Sequence, residues 1–326
     1  MIQQFRTLNF FNVIILFLAV YVLRIGLLVD LPDEINTGFS ETANRLLIRD
    51  AHTPLLSPSS NILIAGFVLF IQSLLFNRVL NEYNIMGKAT FVPALVYITV
   101  CSVFTPFLLL SPPLICNFLL LFIIFRILQS YKDSSQISTM FDLGMVTAIG
   151  TIIYFPFVLF ILILWIALII FRPFNWREWG AVLFGYITIT FLLGVYYFWN
   201  DKLGSFFEIW KPLTVALPVF ISIEPLDYIV LLPIVIGLIL GTIQLRENFF
   251  KSYIQIRKTF IYMFYVFLIG LASFYLRSDY RINHFLVCAI PVSTLLSFYF
   301  LNAKRRWFYE TLFLLILVFI VYFQFV

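Results

Sequence analysis

Apolar residues come in long runs along this chain, separated by short polar stretches. Runs at 9–29, 60–80, 90–110, 112–128, 141–153, 156–171, 179–199, 227–244, 259–276, 285–301 and 307–325 are each predicted to be an apolar helix. Most approach the roughly 20 residues a helix needs to cross the roughly 30 Å hydrocarbon layer. Helix is the expected element, because it closes its own backbone hydrogen bonds where lipid offers no partner. The short alternating segments of a membrane β-barrel are absent from the sequence.

Two stretches leave alternatives open. Residues 141–171 form either one long tilted helix or two short ones broken near Pro156, and 204–223 is either a span or an interfacial segment. Charge placement arbitrates. With a cytoplasmic N-terminus and alternating crossings, Arg24, Arg45, Arg49, Lys202, Lys211, Arg277 and Arg281 fall outside, and the other 14 of the 21 Lys and Arg fall inside. Merging 141–171, or promoting 204–223, would move the basic clusters at 246–258 and 304–306 outside, against the positive-inside tendency. The expected architecture is therefore an all-α, polytopic transmembrane helical bundle of about 11 spans with its C-terminus outside. It forms a single membrane-embedded domain over 1–326, with outer loops at 30–59, 200–226 and 277–284.

Composition supports this class and removes others. Of the 326 residues, 62% are apolar and 11% charged, with a mean hydropathy of +1.02, outside the range of a soluble domain. The net charge of +5 is scattered between spans rather than gathered in a patch, so no nucleic-acid partner is expected. Cys101, Cys116 and Cys288 fall in apolar stretches without metal-type spacing and read as small core residues. The run after Phe10 is too long for a signal peptide and no cleavage pattern follows it, so it reads as an uncleaved first span. His52 and His284 lack a second ligand at metal spacing, and no P-loop, GxSxG or HExxH motif occurs.

Candidate chemistry gathers in the outer segments. Asp30, Asp33 and Glu34 form the densest acidic cluster, at the exit of the first span; they either mark the helix end, beside Pro32, or reach both water and head groups. Residues 37–50 place Phe39, Ala43, Leu46 and Leu47 at helical spacing, which predicts an interfacial amphipathic helix able to roof a site. Asp201, Lys202, Glu208, Trp210, Lys211, Glu224 and Asp227 mark the second segment as an interfacial anchor or a lid. In the third, Arg277, Arg281 and His284 are either a phosphate clamp or an ordinary solvated turn; guanidinium forks match phosphate oxygens. Arg24, inside the first run, is expected to snorkel to the outer interface or to meet an internal acid.

The cytoplasmic N-terminus, the acidic cluster Asp30, Asp33 and Glu34 ending the first span, the long outer loop with its interfacial helix, and the paired short spans around Tyr154-Phe155-Pro156 resemble the GT-C superfamily of polyprenyl-phosphate-sugar-dependent membrane glycosyltransferases. The chain is also similar to a family of Bacteroidota inner-membrane proteins, a similarity that carries no activity with it. The GT-C resemblance implies a catalytic carboxylate among Asp33, Glu34 and Asp30, with a divalent metal as candidate cofactor. It implies contact between Arg277, Arg281 and His284 and a lipid-linked sugar phosphate, in a bacterial inner membrane. The chain departs from that superfamily in being short and in lacking a soluble acceptor-binding domain. Two further readings therefore stand beside it: a non-catalytic subunit of an envelope assembly or secretion complex with membrane-protein partners, and a transporter of lipids or lipid-linked glycans. The transporter reading predicts facing ionisable residues at mid-membrane depth.

Overall fold

The computed structural model describes residues 1–31, 57–132, 136–210, 228–248, 253–276 and 281–324. The regular structure among them is helical, with no strand. A short helix α1 (Ile2–Phe5) precedes α2 (Phe10–Val22) and α3 (Ile25–Val29). There follow α4 (Pro58–Glu82), α5 (Val92–Val100), α6 (Pro112–Gln129), α7 (Ile137–Ile153), α8 (Phe160–Phe171) and α9 (Trp176–Trp199). The remainder comprises α10 (Leu203–Glu208), α11 (Leu231–Asn248), α12 (Ile254–Ala272), α13 (Ala289–Asn302) and α14 (Arg306–Tyr322). Local sequence explains several starts. Asn9, Ser57 and Asn175 each accept a backbone N–H with the side chain at the head of α2, α4 and α9, and prolines occupy the first turns of α4, α5 and α6.

Six described stretches are long and apolar enough to cross a membrane: α4, α6, α9, α11, Ile254–Leu276 and Ile282–Asn302. The protein is thus a helical membrane protein. Two predicted runs are not continuous helices. The first breaks at Leu23 and Arg24, and Gln324 from the end of α14 staples the break: its amide donates to the Leu23 carbonyl at 2.5 Å and its oxygen accepts from Gly26 N at 3.2 Å. The run at 90–110 holds only the nine residues of α5, about 14 Å of helix at 1.5 Å per residue, then a turn and a 3₁₀ segment, Thr105–Leu108, containing Pro106. Every residue of α5 is buried, so the irregular backbone beyond it is tolerated inside protein rather than in lipid.

Of the two readings of 141–171, the structure has the broken one. α7 and α8 are separated by a 3₁₀ turn, Phe155–Leu159, carrying Pro156. In the segment expected to be the second outer loop, the six-residue α10 folds back onto α9, with the Phe206 ring over Gly194; residues 211–227 lie outside those described. The interfacial helix expected over 37–50 also lies outside them.

Contacts between helix ends sort into two groups at opposite ends of the bundle. At one, the proximal end, the amino terminus pairs with Glu310 at 2.8 Å, Phe5 O accepts from Thr90 and Phe91, Arg6 donates to Phe300 O, and Arg172 pairs with Glu178 at 3.0 Å. At the other, the distal end, Asn61 accepts from Leu110 N, Gln324 meets Leu23, Tyr154 meets His284, and Phe155 packs on Trp210. α2 and α14 therefore run the same way, from the proximal to the distal end.

The tightest helix crossing joins α7 to α9. Buried small residues face each other there, Gly144 and Ala148 against Ala181 and Gly185, each pair four apart. A Cβ on Gly185 would stand 2.9 Å from the Phe141 carbonyl carbon and closer still to its oxygen; one on Gly144 would meet Val182 and Tyr186 backbone in the same way. Within lipid, such small-residue contact lets backbones pack directly, which drives association where burial of apolar surface cannot.

Candidate functional site

The distal half of the bundle contains polar side chains that hydropathy leaves inside apolar runs. Gln72 on α4 donates to Leu114 O at 2.6 Å and accepts from the Tyr97 hydroxyl at 3.1 Å. Tyr97 also lies within hydrogen-bonding reach of Cys101 and Asn117. Asn117 on α6 donates to Leu286 O at 3.0 Å, which links the cluster to the 3₁₀ segment Ile282–Cys288 leading into α13. Two residues earlier in that segment, His284 bonds Tyr154 through Nδ1, while Nε2 lies 3.0 Å from Gly270 O and 3.2 Å from Ser273 Oγ. At the other flank Cys101 stands beside Arg24. A buried polar seam thus runs from Arg24 through Cys101, Tyr97, Gln72 and Asn117 to His284 and Tyr154.

The residues expected from sequence are distributed unevenly around this seam. Asp30 caps the end of α3 and is exposed, while Asp33, Glu34 and Arg277 lie outside the described residues. Arg281 is half-buried at the head of the 3₁₀ segment. His284, expected at an open lip, is 0% exposed. The reason is the 3₁₀ winding of Ile282–Cys288, which turns the ring inward between Tyr154 and Phe274, so a phosphate could reach it only by displacing an internal partner. Arg24 does not snorkel, and it meets no acid among the described residues. Its side chain is 0% exposed, its one hydrogen bond goes to Val20 O at 3.0 Å, and its stem passes over Gly66 of α4. Among the described residues, no group of three His, Cys, Asp or Glu is placed to hold a metal ion; Asp33 and Glu34 lie outside them.

An apolar groove opens beside this distal end, between α9 and α10. It encloses about 540 Å³ and is walled by Tyr186, Phe191, Gly194, Phe198, Phe206 and Phe207. Phe184, Phe191 and Phe198, seven apart along α9, are all exposed and present an aromatic stripe suited to lipid.

Fold and site together define a polytopic helical membrane protein with a buried polar seam and an apolar side groove at one end. The chain belongs to the family described as "Family of unknown function (DUF6427)", whose model matches residues 46–326. No curated protein and no solved structure matches it.

Proposed function

We propose that this chain is a glycosyltransferase-like protein of a bacterial inner membrane. It crosses the bilayer eleven times, proximal end in the cytoplasm, and takes a sugar from a polyprenyl-phosphate carrier on the outer face. The observation that carries the reading is the sharing of one end of the bundle by the Asp30 terminus of α3, the Arg281–His284 segment and the apolar groove. The chemistry asked of such a site is modest. The bond from sugar C1 to phosphate oxygen breaks and its electron pair leaves with the phosphate; the acceptor oxygen bonds C1 and its proton passes to a carboxylate. Asp33 or Glu34 is the proposed base and Asp30 a flanking charge. Arg277 and Arg281 are the proposed cations for the departing phosphate, and His284 holds the Arg281 segment against Tyr154. The groove's apolar, aromatic walls suit part of an isoprenoid tail.

What supports the proposed orientation is the basic proximal end, where Arg6, Arg78, Arg126, Arg172, Arg177, Arg257 and Lys258 gather. The apolar groove also fits a partner helix, which favours a non-catalytic envelope subunit as the second reading. Asp33→Asn and Glu34→Gln separate the two. Accumulation of lipid-linked glycan at normal protein level is the expected outcome; unchanged glycan profiles at that level would sink the enzyme reading.

A further inference from the structure

Among the described residues Arg24 is the largest side chain sealed from solvent, and its charge has no counter-ion there. Nη1 is occupied by the Val20 carbonyl, whereas Nε and Nη2 have no hydrogen-bond partner among the described residues. These two atoms share one edge of the planar guanidinium, the edge whose parallel N–H bonds match two oxygens of a carboxylate or phosphate. Its described neighbours Cys101 and Tyr21 are not carboxylates, nor are Tyr97, Gln72 and Asn117 beyond them. Asn117 Oδ1 is also without a partner. Arginine keeps its proton in proteins, so it cannot escape the cost of burial by neutralising itself, as a lysine or histidine does. Arg172 shows the ordinary solution, a buried carboxylate at 3.0 Å. Arg24 instead presents its Nε–Nη2 edge without a partner among the described residues, at a backbone break held by Gln324.

We propose that Arg24 anchors a second, previously unassigned oxyanion site of the phosphate class, set between α2, α4, α5 and α6. The Nε and Nη2 edge takes two phosphate oxygens, and Cys101 and Tyr97 line the far side. Arg24 precedes Asp30 by six residues, about 9 Å along a helix, so the site lies below the distal surface, at a depth a lipid phosphate reaches by sinking beneath its neighbours. The proposal rests on the reading above only for the identity of the lipid as a glycan carrier. The phosphate chemistry is common to a lipid head group and to inorganic phosphate, and the experiment tells them apart.

The full chain, purified in neutral detergent, is heated with phosphatidic acid, with diacylglycerol or with inorganic phosphate, and lipid adducts are counted by native mass spectrometry. Wild type is expected to gain about 5 °C in Tm with phosphatidic acid at saturation and nothing with diacylglycerol. Arg24→Gln is expected to lose that gain and its retained phospholipid. Arg24→Lys, a point charge without the fork, should weaken binding at least tenfold. An equal gain with inorganic phosphate assigns the site to free phosphate; a gain confined to phosphatidic acid assigns it to lipid. Should Arg24→Gln fail to fold, the loss of phosphatidic acid adducts in Arg24→Lys relative to wild type serves as the readout. No Tm gain and no retained phosphatidic acid adduct in wild type, or an Arg24→Gln or Arg24→Lys protein as responsive as wild type, would overturn the proposal. All of this is read without turnover, so a failed Asp33 and Glu34 test leaves it standing, and the reverse holds too.

Discussion

Gly185→Ala is expected to cost about 3 kcal/mol or more of stability, the upper end for overpacking, because the added methyl strikes backbone rather than a movable side chain. Its Cβ would lie 2.9 Å from the Phe141 carbonyl carbon and 3.1 Å from Met145 N, so α7 and α9 must separate along their whole interface. Separation also strains the Tyr186 hydroxyl contact with Thr151 at 3.3 Å and loosens the α9 wall of the apolar groove. Gly144→Ala should behave alike. Gly204→Ala in α10, whose Cβ would meet nothing within 4 Å, is the control and should fold as wild type does. Thermal unfolding in detergent, with the monodisperse fraction after purification, measures all three; a Gly185→Ala protein as stable as Gly204→Ala would contradict the crossing described.

Glu178→Ala is expected to cost about 3–5 kcal/mol, the range for removing one partner of a buried ion pair. Both side chains are enclosed, at 7% exposure for Arg172 and 1% for Glu178, and the pair ties three elements. Arg172 also donates to Ser130 O at 3.1 Å, at the end of α6, and Glu178 accepts from Gln136 N at 3.3 Å, at the start of α7. Removing the acid leaves a cation that must be rehydrated or stranded. The double variant Arg172→Met with Glu178→Leu should recover much of the loss, because both desolvation costs vanish together. If the double variant were as unstable as the sum of the singles, the pair would not be coupled and this account of the proximal end would fail.

What could be read from sequence divides along physical lines. Run boundaries are visible because burial in lipid demands continuous apolarity; a helix stands at every predicted run, and Pro156 gives away the break between α7 and α8. Hydropathy cannot see the shortness of α5. Thr99 and Ser102 return their hydroxyls to the carbonyls of Leu95 and Ile98, so they cost little in an apolar run and give no warning. Nor can it see that Gly144 and Gly185 touch, since two glycines 41 positions apart become partners only through the crossing.

The candidate site was legible in part. The lip residues Asp30 and Arg281 stand out as polar clusters between runs, and the structure leaves both at least partly accessible. The seam does not stand out. Gln72, Tyr97 and Asn117 lie singly in three different apolar runs, and only packing brings them together. For Arg24 the sequence states a cost, a charge within an apolar run, but not how that cost is met. His284 belongs by sequence to the lip and by 3₁₀ geometry to the interior.

In the proposed orientation the polar distal end faces away from the cytoplasm and the basic proximal end faces it. Single cysteines at Asp30 and Lys304, both exposed, test it against a quiet background, because Cys101, Cys116 and Cys288 are buried. In intact spheroplasts, a membrane-impermeant maleimide should label Asp30→Cys at once and Lys304→Cys only after the membrane is opened. Labelling of both from the same side, or of Lys304→Cys alone from outside, would contradict the account.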